Sequence, residues 1–106
     1  MYKPLPESLT IKQSGIDGLG LFADQKIMQG TNLGMSHLKI GDTIFRTPLG
    51  GFINHANIAN CVKAELRMTT EDIKGHAYNY KKWNLITLKD IEKGEELTVR
   101  YTFYHV

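Results

Sequence analysis

The chain has 106 residues, 42% of them apolar and 23% charged, with a formal net charge of +2. That length has room for one domain with one modest core, not for two domains or a large enclosed cavity. Residues 1–106 are therefore expected to form a single domain whose ligand site is a surface cleft. Lys and Arg are dispersed and interrupted by Glu71, Asp72, Glu92, Glu95 and Glu96, so the charge permits a nucleic-acid or membrane-surface partner without indicating one.

The opening Met-Tyr-Lys-Pro-Leu-Pro-Glu puts two prolines and a carboxylate where a signal peptide would carry its apolar region, which predicts a cytoplasmic protein. Leu9 to Lys12 reads as a short strand, and Ser14 to Gly18 as a turn. Gly18-Leu19-Gly20-Leu21-Phe22-Ala23 matches the dinucleotide fingerprint formally, with Asp42 downstream. Gly30, Gly34, Gly41 and Pro48 punctuate the region where that motif needs a helix, so a Rossmann site is rejected. What survives is a pair of glycines that lets the backbone approach a ligand closely, leading into a strand over Leu19 to Ala23.

Asn32 to His37 and Thr43 to Arg46 are the next strands, joined by a turn at Gly41-Asp42. Thr47 to Val62 is the longest stretch without a charged side chain, but it holds three asparagines and a histidine and is too short to cross a membrane. Within it, Gly50 to Cys61 sets Asn54, His55, Asn57 and Asn60 among apolar residues. Such uncharged polar groups must find partners, either in a turn network or in a neutral heterocycle such as adenine. Cys61 is the sole cysteine, which excludes an internal disulfide and fits a reducing compartment. His55 with Cys61 matches no thiol-protease spacing, and His37, His55 and His76 match no metal-ligand spacing, so no metal site is expected.

Val62 to Met68 alternates apolar and charged residues strictly, predicting a half-buried strand. A turn follows over Thr70 to Gly75. His76 to Tyr80 and Trp83 to Leu88 read as two further strands. Tyr78, Tyr80 and Trp83 interleave with Lys81 and Lys82, a composition able to stack bases and neutralise phosphates, or simply to pack on a sheet. Glu92 to Glu95 is a tight turn with Gly94 free to take a positive φ. Leu97 to Tyr104 alternates again, placing Leu97, Val99, Tyr101 and Phe103 on one face. The sum is a mainly β chain, of the kind found in small sandwiches and partly open barrels.

Three segments in order, Gly18 to Ala23, Gly51-Phe52-Ile53-Asn54-His55, and Ile91 to Tyr101 with its Gly-Glu-Glu-Leu turn, resemble the SET-domain protein lysine methyltransferases. In particular the chain is similar to the compact virus-encoded SET proteins. The resemblance runs from about Leu9 to Tyr104. It implies a SET-like fold of the β-clip type, small curved sheets with a C-terminal pseudoknot. It also implies S-adenosylmethionine as cofactor, held by Gly18, Leu19, Gly20, Asn54 and His55. Tyr101 becomes the catalytic residue, with Phe103 and Tyr104 lining the substrate channel for a lysine-containing protein or peptide. A homo-oligomer would let a second copy wall that channel.

Methyl transfer from a sulfonium to an amine requires the lysine to lose its proton, against a free pKa of about 10.4. A neighbouring sulfonium is a like charge that lowers it. Positioning in a narrow channel carries the rest, and no metal is required. Two other readings compete: a non-catalytic SET-like module that binds S-adenosylmethionine or a lysine peptide, and a small β nucleic-acid binder built on Tyr78, Tyr80, Lys81, Lys82 and Trp83.

Overall fold

The computed structural model describes residues 5–100. The fold is mainly β, in two sheets. Strands β1 (Leu9–Gln13) and β2 (Leu19–Ala23) form an antiparallel hairpin around the turn that Ser14 and Gly18 close, with Gly18 at φ +47°. A six-stranded sheet takes β3 (Asn32–Ile40), β4 (Thr43–Arg46), β5 (Asn54–His55), β6 (Cys61–Glu71), β7 (Ala77–Thr87) and β8 (Thr98–Val99), in the order β4-β3-β7-β6-β8-β5. No helix among the described residues is long and apolar enough to cross a membrane.

One apolar cluster draws on both sheets. Leu21, Leu85, Ile91, Leu97 and Val99 are fully buried in it, and Leu9, Ala23, Ile27, Leu33, Leu49, Ile53 and Cys61 complete it. The hairpin of β1 and β2 is tied to the C-terminal segment by backbone bonds from Leu97 N to Leu21 O (2.8 Å) and Ala23 N to Glu95 O (2.9 Å). Those bonds bring the glycine turn and the Gly-Glu-Glu-Leu turn together.

Strand β8 lies between β5 and β6 and is parallel to both: Asn54 pairs with Thr98, His55 with Val99, and Cys61 with Val99. Residues 56–60 must therefore cross β8 to join its two neighbours. That crossing is the described part of the expected pseudoknot. The strand read over Leu97 to Tyr104 appears here as Thr98–Val99, and its positions from 101 onward lie outside the described residues.

The structure departs from the sequence reading in three places, the first of them an element that reading did not include. A one-turn helix, α1 (Pro48–Phe52), precedes the Asn-His segment although Gly50 and Gly51 argue against helix. Thr47 caps it by accepting from Gly50 N, Pro48 fits its first turn, and Gly50 is needed for contact: a Cβ there would strike Ser36 O and the His37 ring. Second, the two strands over His76 to Tyr80 and Trp83 to Leu88 are one, β7, paired along its length with β6. Lys81 and Lys82 do not interrupt it because both are half-buried between β3 and β6. Third, the alternation in Val62 to Met68 does not bury its apolar side: Val62, Leu66 and Met68 are exposed, while Lys63 and Glu65 follow Cys61 on the inward face, opposite the buried Leu85 and Trp83 of β7, and Lys63 is half-buried.

Candidate functional site

The turn between β1 and β2 is organised by Ser14, whose Oγ accepts from Ile16 N at 2.9 Å while its own hydroxyl donates to the Glu96 carboxylate at 2.8 Å. Glu96 sits two residues before β8 and is bridged to Phe22. Asn54, on β5, faces the same point from the other side. Its Nδ2 donates to Glu96 Oε2 at 2.9 Å, to Asp17 O at 3.1 Å and, at longer range, to Leu19 O at 3.4 Å. Two carbonyls and a carboxylate thus converge on one amide nitrogen.

Gly20 lies directly beneath this corner and is buried. A Cβ on it would collide with the Glu96 carboxylate and stand 3.1 Å from Asn54 Nδ2. Glycine here lets the Glu96 carboxylate lie against the strand backbone, and any side chain would have to push that carboxylate off Asn54. Gly18 is different: nothing lies within 4 Å of its Cβ position, so its φ of +47° alone favours glycine. Leu19, between them, is about half exposed.

The structure thus gathers Gly18, Leu19, Gly20 and Asn54 around one corner and sets His55 next to Asn54 on β5. The backbone just beyond, Ala56 N, donates to Val99 O at 3.0 Å. Tyr101, Phe103 and Tyr104 lie outside the described residues. Sequence reasoning missed Ser14, Asp17 and Glu96 as members of the corner. The Glu95-Glu96 doublet held the signal: Glu95 Oε1 accepts from Glu92 N at 2.8 Å and closes the turn, which leaves Glu96 for another task.

Asn60 holds the crossing segment. Its Nδ2 donates to Glu96 O at 2.9 Å and its Oδ1 accepts from Thr98 N at 2.8 Å, bracketing Leu97 from a buried position. The Asn-rich stretch is thus partly a turn network and partly the site.

Among the described residues, the remaining nucleophile and imidazoles are not assembled into a site. Cys61 is buried, and burial pushes its thiol up to about 12, far from the reactive thiolate range. His37 is buried edge-on to Trp83, with Nδ1 3.0 Å from Ser36 Oγ, and burial with the charges of Lys63 and Arg46 lowers its pKa to about 4. His76 is exposed beside Asp72 at the hairpin end. No group of metal-ligating residues comes together among the described residues. The aromatic and basic run is divided by strand alternation: Tyr78, Tyr80 and Lys82 fall on one face of β7, Lys81 and Trp83 on the other, and Trp83 is buried.

Comparison with known proteins agrees with this fold. The family model of the SET domain matches residues 36–102. No curated protein matches the chain by sequence. Among solved structures, a Plasmodium falciparum protein assigned as a histone methyltransferase superposes with a TM-score of 0.65 at 14% identity, over 93% of this chain and 96% of that one. At that identity the likeness speaks to the fold.

Proposed function

The chain belongs to the SET-domain family, and from that membership we propose that it is an S-adenosylmethionine-dependent protein lysine N-methyltransferase. The observation that supports this most is the parallel pairing of Asn54 with Thr98 and His55 with Val99. It sets the strand leading to Tyr101 directly against the Asn-His segment and, through Glu96, against the glycine turn.

The residues present fit the cofactor. Asp17 O, Leu19 O and Glu96 Oε2 form an acceptor-rich corner around the Asn54 amide, complementary to a ligand that carries an ammonium and a sulfonium. Open space around Gly18 leaves the turn backbone accessible. In this reading Gly18, Leu19 and Gly20 bind through backbone groups, and Asn54 and His55 close the opposite side. S-adenosylmethionine, when bound, supplies an electrophilic methyl group. Tyr101 presents its phenolic oxygen to the lysine, and Phe103 and Tyr104 line the channel that keeps the amine dry and aligned.

Calorimetric titration with S-adenosylmethionine and with its demethylated product tests the cofactor assignment. Saturable binding that weakens in Asn54→Ala is expected, and Tyr101→Phe is expected to lower methyl transfer to lysine peptides while sparing binding. No binding up to millimolar ligand by a folded sample would leave a non-catalytic SET module.

A further inference from the structure

Where the hairpin of β6 and β7 passes beyond the core, Lys39, Lys81 and Arg67 stand opposite one another on three adjacent strands: Lys39 pairs with Lys81, and Lys81 with Arg67. Opposed residues in antiparallel strands share a face, and neighbouring strands are about 4.8 Å apart. Three cations therefore form a row about 10 Å long across the sheet. Like charges placed this way destabilise a sheet. Glu65 approaches Arg67 at 3.6 Å and Lys81 at 3.9 Å, so one carboxylate is shared between two of the three. The row lines a groove of about 510 Å³ whose other walls are Gly41, Met68, Tyr80, Thr69 and Asn79, the last two joined by a 2.8 Å hydrogen bond.

We propose that this groove docks an acidic segment of the protein substrate, an inference that rests on the lysine methyltransferase reading above. Surplus positive charge along the groove is complementary to carboxylates, and Arg67 can take one in a two-pronged bond, while Met68 and Tyr80 offer apolar contact to the rest of a peptide. Three features favour a short acidic peptide over a nucleic-acid backbone. The row is short. Glu71, four residues past Arg67 on the same face, and Asp72 beside it would repel a longer chain of phosphates. The exposed Tyr78 lies on the opposite face of β7 and Trp83 is buried, which leaves Tyr80 as the single aromatic ring lining the groove among the described residues, where a base-binding surface stacks successive bases on several rings.

The row also stands at a defined reach from the candidate site. Cys61 pairs with Val99 of β8, and Arg67 is six residues farther along β6, about 20 Å at the usual strand rise. Because β8 is parallel to β6, it runs from the Asn54 corner toward the row. An extended substrate covers that span in about six residues, which is the spacing expected between the target lysine and its acidic segment.

Fluorescence anisotropy tests the inference with a labelled peptide carrying one lysine and a block of glutamates about six residues away. Its partner peptide carries glutamines instead, and labelled oligothymidylate is the third probe. The glutamate peptide is expected to bind about ten-fold tighter than the glutamine one, as three exposed ion pairs allow. The preference is expected to fade with added salt and to vanish in the Lys39→Gln, Lys81→Gln, Arg67→Gln triple variant. That variant removes repulsion and is expected to fold, as its melting curve will show; if it melts lower, Lys81→Gln alone replaces it. Equal or undetectable binding of the two peptides would overturn the docking inference, and tighter, competing binding of oligothymidylate would replace it with a nucleic-acid site. These outcomes need no methyl transfer, so failure of the enzyme reading, seen as absent cofactor binding, is a separate result.

Discussion

Asn54 Nδ2 lies 2.9 Å from Glu96 Oε2, joining two residues 42 positions apart in the chain. The contact couples β5 to the segment entering β8, and through Ser14 it reaches the β1–β2 turn. Its partners are all acceptors, so the identity of the donor matters more than its size. Asn54→Asp sets a carboxylate against Glu96 and two carbonyls and is expected to lower stability by roughly 2–3 kcal/mol. Adding Glu96→Gln supplies a donor again and should recover part of that loss. Urea denaturation of both variants measures it, and a double variant no more stable than Asn54→Asp alone would show that the two residues are not coupled.

Gly18 closes the β1–β2 turn and Gly20 lies two residues on in β2, and they answer to different constraints. Gly20→Ala forces Glu96 and Asn54 to move, an overpacking cost of about 1–3 kcal/mol, and is expected to weaken cofactor binding along with stability. Gly18→Ala meets open space and bears only the left-handed backbone penalty, about 1–2 kcal/mol. Cofactor titration of the two variants separates them: if Gly20→Ala binds as well as Gly18→Ala, the corner is not part of the cofactor site.

Much of this arrangement was legible in the sequence, for physical reasons. β1, β2, β3 and β4 are short apolar segments bounded by residues that favour turns, and the glycine turn, the Asn-His pair and the Gly-Glu-Glu-Leu turn announced the family. What was hidden depends on contacts between distant parts of the chain. Helix α1 exists because Gly50 can lie against Ser36 and His37, which no local propensity records. β7 carries no break at Lys81-Lys82 because both lysines are half-buried between β3 and β6, and adjacent charged residues hide that continuity from the sequence. Glu96 looked like a second turn residue; its role appears only when Asn54 and Ser14 come to meet it.

Asn60 illustrates a polar residue whose work is structural. It is buried and satisfies Glu96 O and Thr98 N, the two backbone groups on either side of Leu97. Asn60→Ala leaves both without that partner, at about 1–3 kcal/mol each. Asn57→Ala, at an exposed position of the same segment, is expected to stay within about 0.5 kcal/mol of the parent. Thermal melting of the pair checks the contrast, and a small effect at Asn60 would mean that β8 is held between its neighbours by other contacts.

Cys61 provides a readout of global opening. The side chain is buried and its thiol is pushed up to about 12 by desolvation, so at pH 8 only about one molecule in ten thousand carries the thiolate. Labelling by a disulfide reagent is expected to be negligible in the native protein and rapid in urea. Fast labelling under native conditions would contradict both the burial and the dismissal of a thiol nucleophile.

His37 sets the pH dependence of stability. In the fold its pKa falls from 6.5 to about 4, chiefly through burial and then through the charges of Lys63 and Arg46. The unfolded chain thus binds a proton near pH 6.5 that the folded chain refuses until about pH 4. Between those values the unfolded state holds more protons, so stability rises with pH across the window. The contribution is complete above pH 6.5, is lost as pH drops through the window, and amounts to about 3 kcal/mol. Carboxylates titrate in the same range, so the test compares the parent with His37→Gln, which cannot protonate. The difference in unfolding free energy between the two is expected to shrink from pH 7 to pH 4; parallel curves over that range would show that His37 does not carry the effect.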